Sequence, residues 1–138
     1  MPEFSERSLR LLSTADERLQ RLFLEVVKTY DCTVLCGHRG KEEQEEAYRA
    51  GKSKVLFPHS KHNRMPAMAV DVAPYPVDWQ DWKRFYHFGG YVLRVAQELG
   101  IQVRSGLDWN GNLDFKDQNF HDAPHWELLD DPPPVAVV

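Results

Sequence analysis

The sequence predicts an α+β fold, a small antiparallel sheet with helices packed on one face. Three observations predict it. Leu19, Leu22, Phe23, Val26, Val27 and Tyr30 recur at helical spacing, which makes one apolar stripe. Met68-Ala69-Val70-Asp71-Val72-Ala73 alternates with a period of two. Two short runs, Thr33-Val34-Leu35-Cys36 and His125-Trp126-Glu127-Leu128-Leu129, have strand length and strand composition. A chain of 138 residues suits one domain that buries a core without disulfides. We expect that domain over residues 1–129, with 130–138, which hold three successive prolines, as a loose extension.

In chain order, residues 4–12 predict a short first helix. Thr14 and Glu17 have the spacing of a capping box, which would start the striped helix at Thr14. The first strand ends at Gly37. Cys32 and Cys36, four apart in a strand, would share one face and lie roughly 13 Å apart, too far for a disulfide. They predict reduced thiols. Residues 41–50 predict a polar helix, acidic at its start and closed by Arg49 and Gly51, an order that suits the helix dipole. Residues 52–66 predict loop.

In the alternating strand, Met68, Val70 and Val72 face one way and Ala69, Asp71 and Ala73 the other. After the turn Pro74-Tyr75-Pro76, Asp78 predicts the cap of a long helix over 79–99. Its buried face would carry Trp82, Phe85, Phe88 or Gly89, Val92, Val95, Ala96 and Leu99, and Gly89-Gly90 predicts a kink or a close contact. Residues 101–104 predict a strand, and 106–118, with Asn110-Gly111, a loop or hairpin. The last strand puts His125 and Glu127 on one face. Trp126 is expected to pack beneath it.

A net charge of -4 and pI near 5.8 exclude a broad basic face, so no nucleic-acid partner is expected and a metal nuclease is disfavoured. An aromatic content of 12% fits a groove for a flat or sugar-bearing ligand, and fits equally a small core made of large pieces. The start, Met-Pro-Glu-Phe-Ser-Glu-Arg, lacks a signal pattern, and no run is long enough for a bilayer. The expectations are synthesis in the cytoplasm, no membrane partner and a monomer.

The chemistry gathers in two stretches, Ser60-Lys61-His62 through Asp71 and Asp122-Ala123-Pro124-His125-Trp126-Glu127. Two histidines and one aspartate make a three-ligand set with one open position, and an acid is left over three residues before the last histidine. A metal-assisted hydrolase needs that inventory. An Asp71 in mid-strand among apolar neighbours costs free energy unless it is paired or metal-bound. On spacing alone, backbone amides would satisfy it as well, and the histidines would serve equally as surface residues.

Ser60-Lys61-His62 with Ala69-Val70-Asp71, followed by Asp122-Ala123-Pro124-His125-Trp126-Glu127, resembles the zinc D-alanyl-D-alanine carboxypeptidase and L-alanyl-D-glutamate endopeptidase family, whose small phage members are endolysins. Gly37-His38-Arg39-Gly40 with Glu43-Gln44 resembles that family's substrate segment, so the likeness runs over residues 36–128. It implies a hedgehog/D-Ala-D-Ala-peptidase-like fold and one zinc ion on His62, Asp71 and His125. It further implies Asp122 as the catalytic acid and base, Arg39 facing the scissile carbonyl, and Ser60 and Gln44 at the substrate. Two departures stand out. His62 and Asp71 are two residues further apart than is common in the family, so 63–68 must bulge, and His38 stands where tyrosine is common.

Glu127 is the rival base; orienting a ligand or binding the substrate amine is its alternative. His121 would line the cleft or lie exposed in a turn. His59 is expected to be a solvated loop residue, and His87 a helix-surface or core-edge residue. The resemblance implies a peptidase that cuts the peptidoglycan stem peptide between L-alanine and D-glutamate, a phage endolysin that acts on the wall after release from the host cytoplasm. The alternatives are a D-alanyl-D-alanine carboxypeptidase and a zinc-holding binding module without turnover.

Overall fold

A computed structural model describes residues 2–109 and 122–129. Its elements are α1 (Glu6–Leu12), α2 (Glu17–Val27), β1 (Cys32–Cys36), α3 (Lys41–Arg49), a 3-10 turn (Lys61–Asn63), β2 (Ala69–Pro74), α4 (Trp82–Leu99), β3 (Val103–Ser105) and β4 (His125–Leu128). The strands form one sheet in the order β1-β2-β4-β3, and every neighbouring pair is antiparallel. The α+β architecture expected from the sequence is what the chain adopts. The expected hairpin over 106–118 falls largely outside the described residues, as do His121 and the 130–138 extension.

The core lies on one face of the sheet. Leu19, Leu22, Phe23, Val26 and Val27 of α2 meet Val34, Val70, Val72, Trp126 and Leu128 from three strands, and Phe88, Val92, Val95 and Ala96 of α4 close the cluster. Trp126 sits edge-on to Phe23, with ring centroids 6.3 Å apart. Each such side chain removed from water contributes about 1.5–3 kcal/mol. Gly89 lies over the Trp126 ring, where an added Cβ would come no nearer than 3.7 Å; this is the close-contact reading of the Gly89-Gly90 pair, and it leaves room for a methyl.

Several helix and strand limits differ from expectation, each for a local reason. The α2 cap is Asp16, whose carboxylate accepts from the Arg18 N–H at 2.9 Å. Thr14 is engaged elsewhere: its hydroxyl donates to the Leu11 carbonyl and accepts from the His38 N–H. Asp81 caps α4 through the Arg84 N–H, while Asp78 closes its own turn on the Gln80 N–H. Trp82 therefore stands in the first turn of α4, and it is 46% exposed rather than buried. Gly100 ends α4 in the left-handed region (φ 71°), and the Ile101 N–H bonds back to the Ala96 carbonyl, so Ile101 belongs to the helix stop and β3 begins only at Val103.

The two cysteines do not share a face. The β1–β2 register shifts between Val34 and Cys36. Val34 stands opposite Val72 on the core side, whereas Cys36 stands opposite Asp71. One extra residue in a strand turns the residues after it to the other face. Cys32 stays in the core, where burial and the nearby Asp31 charge push its thiol up to about 12.

Candidate metal centre

Cross-strand register builds the site. Residues directly opposite in antiparallel strands project to the same side. Asp71 faces His125 across β2 and β4, and Cys36 faces Asp71 across β1 and β2, which makes one row on the face away from the core. The next row is Ala69, Glu127 and Arg104. Ala69 and Ala73 flank Asp71 with small side chains.

His62 reaches this face from the 3-10 turn, whose cap is Ser60: the Ser60 hydroxyl accepts from the His62 N–H at 3.2 Å. Beyond it the chain loops out. The Met68 N–H returns to the Lys61 carbonyl at 2.9 Å, and Met65 is 83% exposed between them. That is the bulge that the long His62–Asp71 spacing demanded.

Three donor atoms converge. His62 Nε2 lies 3.1 Å and His125 Nδ1 3.4 Å from Asp71 Oδ1, and the three atoms lie within 4.8 Å of one another. The imidazole centroids are 5.1 Å apart. The opposite nitrogens are tied: His62 Nδ1 donates to the Gly37 carbonyl at 2.7 Å, and His125 Nε2 to Glu127 Oε1 at 2.8 Å. Those bonds fix one proton on the far side of each ring and turn His62 Nε2 and His125 Nδ1 toward Asp71, as donors to its carboxylate when protonated and as lone pairs for a cation when not. This buried group can hold a metal ion, and the tied far nitrogens are what such a role requires.

Without a cation the group holds protons instead. Burial opposes a charged His62, but the Asp71 carboxylate outweighs it and raises the imidazole to about 10. His125 is likewise raised, against its burial, by its bonds to Asp71 and Glu127. Burial would lift the Asp71 carboxyl, yet the charge of His62 and the bonds from both histidines hold it well below the usual range. Asp122, with Oδ2 3.8 Å from His125 Nδ1, is pushed up to about 6 by burial and by the Asp71 charge, with His125, His62 and Arg39 pulling the other way.

Arg39 Nη2 lies 3.5 Å from Asp71 Oδ2, and its Nη1 donates to Gln44 Oε1 at 3.0 Å. Gln44, expected at the substrate, lies against Arg39. It is fully buried, it also accepts from Asn63, and it donates to Ser53 and to the Val55 carbonyl, so it holds Arg39 and the following loop in place. Glu127 is 6% exposed and is matched by Arg104 Nη2 at 2.9 Å and Lys61 Nζ at 3.2 Å. Burial opposes its charge, but His125 and the two cations bring it down to about 2, so it remains a carboxylate fixed on His125.

Of the other histidines, His59 is exposed and lines a cleft beside the site, and His87 is exposed with its Nδ1 2.8 Å from the Tyr30 hydroxyl. Sequence reasoning missed the site contacts of Trp109 and Arg104 and the close packing at Gly37 and Gly106. Trp109 lies with its ring centroid 5.1 Å from that of His125, and Arg104 sits over the Trp109 ring at 5.5 Å. Gly37 passes so close to Leu11 that an added Cβ would lie 2.2 Å from its carbonyl oxygen; Gly106 would put one 2.1 Å from the Asp122 carbonyl oxygen. Gly106 pairs with the Asp122 turn in both directions, its N–H donating to the His125 carbonyl and its carbonyl accepting from the Asp122 N–H. A glycine after each short strand was the available signal.

The crystal structure of the Serratia marcescens L-Ala D-Glu endopeptidase ChiX matches this fold with a TM-score of 0.72 and 28% identity, over 93% of this chain and 91% of that one. The L-alanyl-D-glutamate peptidase of Escherichia phage T5 is 30% identical over 135 residues, 92% of this chain and 98% of the relative. Fold and site thus define a peptidase. The sequence pattern of the phage L-alanyl-D-glutamate peptidase family matches residues 2–129, and the chain belongs to that family.

Proposed function

We propose that this chain is a zinc endopeptidase that hydrolyses the L-alanyl–D-glutamate bond of the peptidoglycan stem peptide and serves a phage as an endolysin. The observation that carries the reading is the convergence of His62 Nε2, Asp71 Oδ1 and His125 Nδ1 with both far nitrogens tied back. Two imidazoles and one carboxylate are a zinc donor set that keeps a position open for chemistry. When bound, zinc supplies a Lewis acid that acidifies a water and polarises a carbonyl.

The residues divide the remaining work. Asp122 takes the proton of the attacking water and returns it to the amine of the departing D-glutamate; its carboxylate stands 3.8 Å from His125 Nδ1, beside the proposed ligand set. Arg39, held by Gln44, stabilises the negative oxygen of the tetrahedral intermediate. Ser60 sets the His62 turn and lines the cleft where substrate enters. Glu127 keeps His125 in the tautomer that presents Nδ1. The enzyme acts as a monomer, made in the host cytoplasm and reaching the wall after release. No helix among the described residues is long and apolar enough to cross a membrane.

Digestion of purified peptidoglycan, with fragments identified by mass, tests the reading. New amino-terminal D-glutamate should appear, vanish with a chelator and return with zinc. Release of terminal D-alanine, or cleavage indifferent to chelator, would contradict it.

A further inference from the structure

Two clefts meet at the site, and they differ in chemistry. The first, about 400 Å³, lies beside His62 and His125, and in it five lysine and arginine side chains face two carboxylates. One of those carboxylates, Glu127, is already matched to Arg104 and Lys61. The second, about 630 Å³, lies beside Asp71; there Arg39 and Lys52 balance Asp71 and Asp122, and the wall is Leu35, Trp79, Trp82 and Phe85. Arg39, Lys52 and Asp122 line both clefts, so the reacting bond belongs at their junction.

The aromatic wall is built as a shelf. Trp79 lies nearly flat on Phe85, with centroids 5.5 Å apart and planes 16° from parallel, and Phe85 is anchored with Ala73 and Leu107 in a small buried cluster of its own. One indole face is thus backed by the protein while Trp79 remains 52% exposed, and Trp82 beside it is 46% exposed. Large aromatic surface left in water beside a catalytic centre marks a binding surface.

The substrate proposed above has unequal ends. On the carboxyl side of the reacting bond, D-glutamate is linked through its γ-carbonyl and keeps a free α-carboxylate, and the stem adds further carboxylates. On the amino side, L-alanine is acylated by the lactyl group of N-acetylmuramic acid, an uncharged sugar whose C–H faces fit flat indoles. We propose that the stem's acidic half lies in the Lys54–Arg104 cleft and that the N-acetylmuramic acid lies on the Trp79–Trp82 shelf. This orientation rests on the peptidoglycan reading.

Two probes of the zinc-loaded enzyme serve in titration calorimetry: an uncharged analogue of the sugar-bearing product, N-acetylglucosaminyl-N-acetylmuramoyl-L-alanine amide, in which an amide replaces the carboxylate that hydrolysis leaves on L-alanine, and the acidic product γ-D-glutamyl-diaminopimelic acid. Trp79→Ala/Trp82→Ala should weaken the sugar product about tenfold and leave the acidic product within about twofold. Trp82→Ala alone, which spares the Trp79–Phe85 stack, should move the same way. Lys54→Glu should do the reverse, and added salt should weaken only the acidic product. The orientation is overturned if both variants weaken the same product, or if an enzyme that cuts peptidoglycan binds the sugar product equally with and without its tryptophans. The expected binding pattern in a protein that leaves peptidoglycan uncut would sustain the two subsites and sink the peptidase reading instead.

Discussion

The two faces of β2 are one residue apart and follow different rules. Val70 and Val72 join a cluster of apolar side chains from three strands and three helices, where volume and patterning matter more than identity. Ala69, Asp71 and Ala73 face a buried polar group in which Asp71 answers to His62, His125 and Arg39 at once. A core side chain that is shortened leaves a cavity. A site side chain that is removed leaves a buried charge or a lone pair without its partner. Breaking the first face should cost stability and spare chemistry; breaking the second should do the opposite.

The largest contrast comes from Asp122→Asn. Turnover on peptidoglycan should fall by about 10²–10⁴-fold, with zinc retained and the melting temperature scarcely moved. Full turnover would hand the base role to another group, and Glu127 is the first to test. On the opposite face, Phe23→Ala should cost about 3–5 kcal/mol in urea unfolding while each folded molecule still binds zinc and cuts at the normal rate. Loss of zinc from that folded variant would erase the division between the faces.

A smaller effect is expected one bond out from the centre. Glu127→Gln keeps the shape but weakens the hold on His125 Nε2, and zinc affinity should drop about 10–100-fold as measured by competition with a chelating dye. The mildest test is pH. His62 is raised in the folded, metal-free protein to about 10 from an ordinary 6.5, so the stabilisation it draws from Asp71 is complete below about pH 6.5 and fades as pH rises through about 10. Thermal melts of chelator-treated protein should show that fade. Zinc-loaded protein should not, because the ion replaces the proton.

The same contrast explains what could be read from the chain. The stripe of α2 and the alternation of β2 are local periodicities, so the core face was legible, and with it the side on which Asp71 projects. That His125 and Asp71 share one antiparallel sheet was legible too, but their direct opposition is a matter of register. The bulge that turns Cys36 toward His62 was not legible, because register is settled between strands rather than within one. Thr14 and Asp78 carried cap signals as good as those of Asp16 and Asp81, and tertiary or turn bonds decided between them. Lys61, Arg104 and Trp109 around Glu127 and His125 come from separate segments, and no spacing announces such a meeting. Gln44 shows the reverse case: its motif was visible, yet its place beneath Arg39 depends on Asn63 and a loop carbonyl far along the chain.

Metal content per folded chain, measured on purified wild type, His62→Ala and His125→Ala after equilibration with zinc, bears most directly on the convergence of these side chains. We predict one zinc ion for the wild type and none retained by either variant. Stoichiometric zinc in a folded His62→Ala or His125→Ala protein would contradict the assignment of both imidazoles to one ion.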